Sequence, residues 1–242
     1  MSTRGRRNHR RGGRKSRQQR VKERNRAVLL LVLAGIAVIV LVIAGYRLLF
    51  APFQENAKSS TALQTSEEDW EGAPPLDVQL LTVNEYSRPG IALEKINGIV
   101  IHYTANPGSS AQANRDYFEG LKDEHTTKAS SHFVIGLEGE IVQCIPSTEI
   151  SYASNDRNDD TLSIECCHPD ESGEFTDATY QSLVELTSWL CERFQIPVDN
   201  VIRHYDVTGK DCPKYFVDHE DAWEQFKEEV SQAVSAGEEG EK

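Results

Sequence analysis

Cysteine is scarce in this sequence, and no two cysteines form a CxxC pair. There are five in 242 residues: Cys144, Cys166, Cys167, Cys191 and Cys212. The absence of paired spacing excludes a zinc ribbon, and the odd number excludes a complete disulfide framework. Outside the cell, an odd number leaves at least one thiol free or bound to a metal. The apolar surroundings of Cys144, Cys166 and Cys191 predict small buried core residues.

The first 26 residues have almost no acidic side chains and no Phe, Trp or Tyr. They carry twelve Lys or Arg and a single acid, Glu23, which gives a net charge of +11. Such a tail could bind nucleic acid, or it could fix membrane topology and attract anionic lipid. The missing aromatic residues and the lack of room for a binding fold favour the second interpretation, so no nucleic-acid partner is expected. After Arg47 the chain holds 13 bases and 37 acids, and this acidity opposes binding to polyanions.

Residues 27–46 contain no charge at all and are almost wholly apolar. A buried core helix would normally keep a polar face, which this run lacks, and about 20 residues suffice to cross a hydrocarbon core of about 30 Å. A cleaved signal peptide would have a shorter apolar region, of about 7 to 15 residues. The pattern therefore predicts a signal anchor, with a single transmembrane helix at residues 27–49. The basic flank places residues 1–26 in the cytoplasm and the rest outside the cell, with membrane lipid as a partner.

The remaining chain divides into a tether, a domain and a tail. Residues 50–75 are rich in polar and small residues and end in Pro74-Pro75, which is typical of an exposed tether. We expect a globular domain at residues 76–234 and an acidic tail at residues 235–242. Within the domain, strand and helix patterns alternate. They predict strands near residues 99–101, 132–137, 140–145, 162–167 and 201–202, and helices over 110–122, after Thr176, and from Asp218.

This alternation predicts an α/β fold class. We expect a central, mostly mixed β-sheet flanked by helices and preceded by the single transmembrane helix.

Three candidate metal ligands lie where predicted strands end. His102 ends the strand at 99–101, His204 follows Val201-Ile202, and Cys212 comes eight residues after His204. Two imidazoles and one thiolate leave a fourth position open on zinc, which is the arrangement of a catalytic site. A histidine by itself is more often a surface or core residue, so residue types alone leave this set a weak hypothesis.

Four ordered motifs strengthen that hypothesis: INGIVIHYT, SSHFVIGLEGEIVQCIP, TLSIECC and HYDVTGKDCP. Together with the upstream NEYSRPG, they resemble the N-acetylmuramoyl-L-alanine amidases, zinc amidases related to phage lysozyme-type amidases and to animal peptidoglycan recognition proteins. The resemblance covers about residues 84–232. It implies that His102, His204 and Cys212 bind one Zn²⁺ per chain. It also implies cleavage of the amide between the lactyl group of muramic acid and L-alanine in peptidoglycan.

Two catalytic residues are implied by the same resemblance. Glu165 matches the catalytic glutamate of many bacterial members, and a carboxylate inside an apolar run is unusual for a residue that merely meets solvent. It would move the proton from the attacking water to the leaving amine. Lys210 matches a lysine of the phage-type members and would stabilise the oxyanion, and this role is preferred to the alternative of a surface lysine in a turn.

One position departs from the phage-type pattern. Those members have a tyrosine before the His-Phe pair, whereas this chain has Ser131, so proton transfer must depend on Glu165. His132 is left open between support of the site and simple packing. His168, just beyond Glu165, could contact substrate, but the favoured prediction is an exposed loop histidine.

The expected function is zinc-dependent peptidoglycan hydrolysis by a membrane-anchored extracellular domain. Two alternatives have different requirements. A non-catalytic peptidoglycan-binding module would lack one of the ligands, and a membrane-anchored scaffold would depend on partners of the basic tail. The sequence does not predict an oligomeric state.

Overall fold

The computed structural model describes residues 72–240. In this range the chain forms six strands: β1 Leu76–Val78, β2 Gly98–Tyr103, β3 Phe133–Ile135, β4 Ile141–Gln143, β5 Thr161–Cys166 and β6 Val201–Arg203. It also forms five α-helices: α1 Ala111–Glu124, α2 Asp177–Phe194, α3 His204–Thr208, α4 Lys214–Asp218 and α5 Glu220–Gly240.

The six strands make one mixed sheet in the order β1-β4-β3-β5-β2-β6. Only the β3–β4 hairpin is antiparallel, and the other neighbours run parallel. Gly139 turns the hairpin with a φ of 83°, which a residue without Cβ adopts readily. Strand β2 lies between β5 and β6, which come from distant parts of the chain. This order determines which side chains meet at the strand ends.

Helices cover both faces of the sheet. On one face, α2 and α5 bury Leu183, Leu190 and Phe226 against strand residues such as Ile101 and Ile164. On the other face, α1 is shorter and packs with a smaller apolar cluster; its members include Leu81, Ala111, Phe118, Val134 and Val142. The predicted mixed sheet with flanking helices is confirmed.

Helices α1 and α2 each begin at a capping residue, which explains why the sequence pattern predicted their starts. Thr176 caps α2, as predicted, and its hydroxyl accepts a hydrogen bond from the backbone N–H of Thr179 at 3.0 Å. Ser110 caps α1 in the same way through Ala113 N–H. The helix predicted from Asp218 is α5, which begins two residues later at Glu220, while Asp218 is the last residue of the short helix α4, which the sequence did not predict. Its predicted buried residues Trp223, Phe226 and Val230 are in the core.

The last part of the predicted fold class is wrong for the described protein. Among residues 72–240, no helix is both long enough and apolar enough to cross a membrane. The described fold is therefore the mixed α/β sheet with its helices, without the transmembrane helix expected in front of it. The segment that suggested that helix, residues 27–49, lies outside the described residues, as do the basic tail at 1–26 and most of the tether at 50–75. The domain boundaries stay a prediction.

Candidate active site

The sheet order brings the predicted site residues to one edge. His102 lies near the end of β2, and its register partner on β5 is Glu165. His204 directly follows β6, which pairs with the other side of β2. Because parallel strands present their carboxyl ends at the same edge, three residues far apart in the chain become neighbours.

His102, His204 and Cys212 form one buried group. One potential ligand atom from each residue lies within 4.8 Å of those of the other two. The Nδ1 atom of His102 is 3.8 Å from the Sγ atom of Cys212, and the two imidazole centroids are 4.6 Å apart. His102 and Cys212 are each 1% exposed and His204 is 7% exposed, so three potential ligands are shielded from water together.

The chemistry of this group fits a zinc ion. Nδ1 of His204 is buried and has no hydrogen-bond partner in the described residues, which is costly unless something binds it. Burial lowers the pKa of His204 and, more strongly, of His102, so both imidazoles are neutral and able to bind metal. Two neutral nitrogens and one sulfur, close and buried, match the donors that zinc prefers.

The surroundings of the Cys212 thiol act on its pKa in both directions. Burial and Glu165 raise its pKa to about 12 in the absence of a cation, whereas the Tyr103 backbone N–H and the positive charge of Lys210 act in the opposite direction. Zinc binds the thiolate, so a metal would oppose the burial effect directly. The backbone of Cys212 is also held in place, because its carbonyl oxygen accepts a hydrogen bond from the Tyr205 N–H at 2.9 Å.

Two outer contacts were missed by the sequence analysis. Nε2 of His102 lies 3.1 Å from the Ser154 hydroxyl, and Nε2 of His204 lies 2.8 Å from Oδ1 of Asn155. Both partners belong to the polar stretch YASNDRNDD, in which composition alone distinguishes no residue. Only the fold shows that this loop contacts both His102 on β2 and His204 just after β6.

Glu165 lies beside this group, opposite His102 in the sheet, and one of its carboxyl oxygens makes no hydrogen bond with the described residues. Its side chain is partly buried, but its Oε2 is shielded and lacks a hydrogen-bond partner among the described residues. Burial raises the pKa of this carboxyl to about 8, and Lys210 opposes the shift. A carboxyl with such a pKa can both accept and release a proton near neutral pH.

Lys210 is exposed, yet its charge acts on the whole group. Its charge adds to the lowering of the pKa values of His102 and His204, and it opposes the raising of the pKa values of Glu165 and Cys212. Its position in the turn after Gly209, whose φ is 75°, agrees with the turn expected from the sequence. The structure thus brings all five predicted residues into one neighbourhood, while their roles stay predictions.

The other polar residues singled out in the sequence are buried. Ser131 bonds through its hydroxyl to the carbonyl oxygens of Phe133 and Ser163. His132 is fully buried, with Nδ1 accepting from Ser163 N–H at 3.0 Å and Nε2 near the Glu149 carbonyl oxygen at 2.8 Å. The prediction for His168 is wrong, since it is 1% exposed and bonds through Nδ1 to the Asp170 carbonyl oxygen.

Comparisons with known proteins agree on one family. The family model described as N-acetylmuramoyl-L-alanine amidase matches residues 92–215. Over 161 residues the chain is 36% identical to the N-acetylmuramoyl-L-alanine amidase CwlL of Bacillus licheniformis, and over 176 residues it is 30% identical to BlyA of Bacillus subtilis. These alignments cover 61% and 64% of this chain but only 44% and 46% of the relatives, so the chain spans less than half of their length.

Solved structures show the same fold. The catalytic domain of XlyA matches with a TM-score of 0.55 and 26% identity, over 65% of this chain and 99% of that domain. PlyL matches with a TM-score of 0.57, over 65% of this chain and 97% of its own, and at 22% identity this match supports the fold alone.

Proposed function

Since this chain belongs to the N-acetylmuramoyl-L-alanine amidase family, we propose that it hydrolyses the amide between N-acetylmuramic acid and L-alanine in peptidoglycan. The observation that carries the proposal is the buried group of two histidines and a cysteine, with Glu165 paired in register to one of them. A module that only binds peptidoglycan has no need for this costly arrangement. The matched region covers less than half of each full-length relative, so the activity is proposed from this site itself.

We further propose that the site holds one zinc ion. His102 and His204 would bind it through Nδ1, because their Nε2 atoms are already engaged by Ser154 and Asn155. Cys212 would supply the thiolate. When bound, zinc activates water and polarises the scissile carbonyl.

The protein's own groups would carry the proton and the charge. The Glu165 carboxylate would take a proton from the attacking water and pass it to the nitrogen of the leaving L-alanine. The Lys210 ammonium, whose charge already acts on the whole group, would stabilise the negative charge that develops on the carbonyl oxygen. Ser131 is engaged within the sheet, which is consistent with proton transfer by Glu165 alone.

We also propose that the domain acts outside the cytoplasmic membrane, because its proposed substrate lies there. Protease added to intact protoplasts should then digest this domain. A domain that is protected until the protoplasts are lysed would contradict this location.

The activity is tested by mass spectrometry of muropeptides digested with the full-length chain. Release of free stem peptides that begin with L-alanine, together with peptide-free glycan, identifies the predicted bond. Cleavage within the peptide or within the glycan would contradict the proposal, and so would tight muropeptide binding without any cleavage.

A further inference from the structure

One loop engages both histidines of the metal-ligand group from the outside. Ser154 and Asn155 are adjacent in the chain, and they contact the Nε2 atoms of His102 and His204 respectively. Each ring nitrogen that faces away from the group therefore has a partner, and both partners come from the same short segment.

The contact to His204 determines which of its nitrogens carries the proton. The Oδ1 atom of Asn155 can only accept a hydrogen bond, so Nε2 of His204 must be the donor. In a neutral imidazole the other nitrogen, Nδ1, is then a bare lone pair. This is the same atom that is buried without a partner. The serine hydroxyl can donate or accept, so it is compatible with the same tautomer of His102 without fixing it.

The loop that presents Asn155 is held in place by its own hydrogen bonds. The Oδ1 atom of Asn158 accepts from the backbone N–H groups of Ala153 and Ser154, at 3.0 and 2.6 Å. Tyr152 and Ser130 exchange two hydrogen bonds, at 2.9 and 3.1 Å, which connect the loop to the chain just before β3.

A second connection leads to the sheet itself. The hydroxyl of Ser151 lies 2.8 Å from that of Ser163 on β5, two residues before Glu165. Asn155 itself has a φ of 52°, a left-handed conformation that Asn adopts more readily than most residues. These contacts make the loop a preorganised support.

We propose that Asn155 is a positioning residue that fixes the Nε2–H tautomer of His204 and thereby raises the affinity of the site for zinc, while Ser154 of the same loop holds the His102 ring through its Nε2 atom. The inference rests on the proposed function, because it assumes that the three-residue group binds metal. Partners of this kind typically change metal affinity or activity by about 10- to 100-fold. Since the Asn155 side chain is exposed and water can replace part of the contact, we expect a loss near tenfold.

The test compares three substitutions in the full-length chain. Asn155→Gly removes the amide and still accepts the positive φ, whereas Asn155→Asp keeps the accepting oxygen. Gln195→Gly is the matched control, because Gln195 is exposed, has a φ of 54° and ends α2. Zinc affinity is measured by competition with a chromogenic chelator. The His204 tautomer is measured by ¹⁵N NMR of the metal-free protein.

We expect Asn155→Gly to bind zinc about tenfold more weakly than Gln195→Gly, with loss of the single Nε2–H tautomer. Asn155→Asp should bind zinc at least as tightly as the wild type. Equal affinity of the two glycine variants would overturn the inference. So would an Nδ1–H tautomer of His204 in the metal-free wild type, which needs no variant to fold.

Failure of this inference is distinguishable from failure of the proposed function. If the wild type neither binds zinc nor cleaves muropeptides, the proposed function is wrong. If it does both while Asn155→Gly matches its control, only the role of Asn155 is wrong.

Discussion

Glu165 joins two properties that seldom coincide in one residue. It is held at a register position opposite His102, and one of its oxygens is shielded with no partner among the described residues. Leaving a buried carboxyl oxygen unpaired costs free energy, so its retention points to a task in the chemistry rather than in folding.

Replacing Glu165 by Gln therefore separates catalysis from metal binding. The amide keeps the size of the side chain but cannot carry the proton, so kcat should fall by about 10²- to 10⁴-fold. Zinc content, measured by atomic emission on the purified protein, should stay at that of the wild type. Normal cleavage by this variant would show that another group moves the proton.

His132 is a residue whose effect belongs to stability. Burial lowers its pKa to about 4 in the folded protein, below the ordinary value of 6.5. Between pH 6.5 and about pH 4, the His132 imidazole is therefore protonated in the unfolded chain but neutral in the folded protein. The free energy of unfolding should therefore fall as the pH is lowered from about 6.5 to about 4, by up to about 3 kcal/mol from this group.

A His132→Gln variant checks this assignment by urea unfolding at several pH values. The variant will be less stable than the wild type at neutral pH, because it disturbs a buried network, but it should lose less stability on acidification. An unchanged loss between pH 6.5 and pH 4 would mean that other groups cause the pH dependence.

At the scale of elements, the site depends on how closely β6 approaches its neighbour β2 in the sheet. A Cβ atom added to Gly98, the first residue of β2, would lie 2.6 Å from the Asn200 carbonyl oxygen just before β6. Backbone cannot yield as a flexible side chain can. The close approach of β6, which His204 directly follows, therefore requires glycine at this position.

We predict that Gly98→Ala destabilises the protein by about 1 to 3 kcal/mol, as overpacking commonly does. Gly120→Ala in α1 is the matched control, since its added Cβ would meet only the flexible Glu124 side chain at 3.8 Å. That control should gain up to about 1 kcal/mol, because alanine favours helix. Chemical denaturation measures both, and equal stability of the two variants would contradict the account.

The same scale shows what the sequence could and could not reveal. Strand β2 and the cap Thr176 were predictable, because apolar runs and capping residues are local patterns. Ser154 and Asn155 were not, since their role arises only when β5 and β6 flank β2 and bring a loop over both histidines. His168 was misjudged for a similar reason, because it packs beside Tyr103 of β2, a residue distant in the chain whose ring centroid lies 5.0 Å away.

For the whole molecule, the ligand group joins two distant parts of the chain, one with His102 and one with His204 and Cys212. His102 lies on β2, His204 follows β6, and Cys212 lies in the loop after α3. A metal bound by all three would bind the folded protein and not the unfolded chain. Binding of this kind raises stability by about 4 kcal/mol when free ligand is at 1,000 times its Kd.

Zinc should therefore raise the melting temperature of the wild type by about 8 to 16 °C under such conditions, on the usual scaling for a protein of this size. Differential scanning calorimetry of the metal-free and zinc-loaded chains measures the shift. A Cys212→Ala variant should show a much smaller shift, because one ligand is missing. The same large shift in this variant would place the zinc elsewhere.

The most direct measurement is a zinc titration of the chelator-treated full-length chain, with release of peptide from muropeptides as the readout. We predict no cleavage without metal, recovery that saturates at one equivalent of zinc, and no recovery at that level in Cys212→Ala. Full cleavage by the metal-free chain would contradict the account.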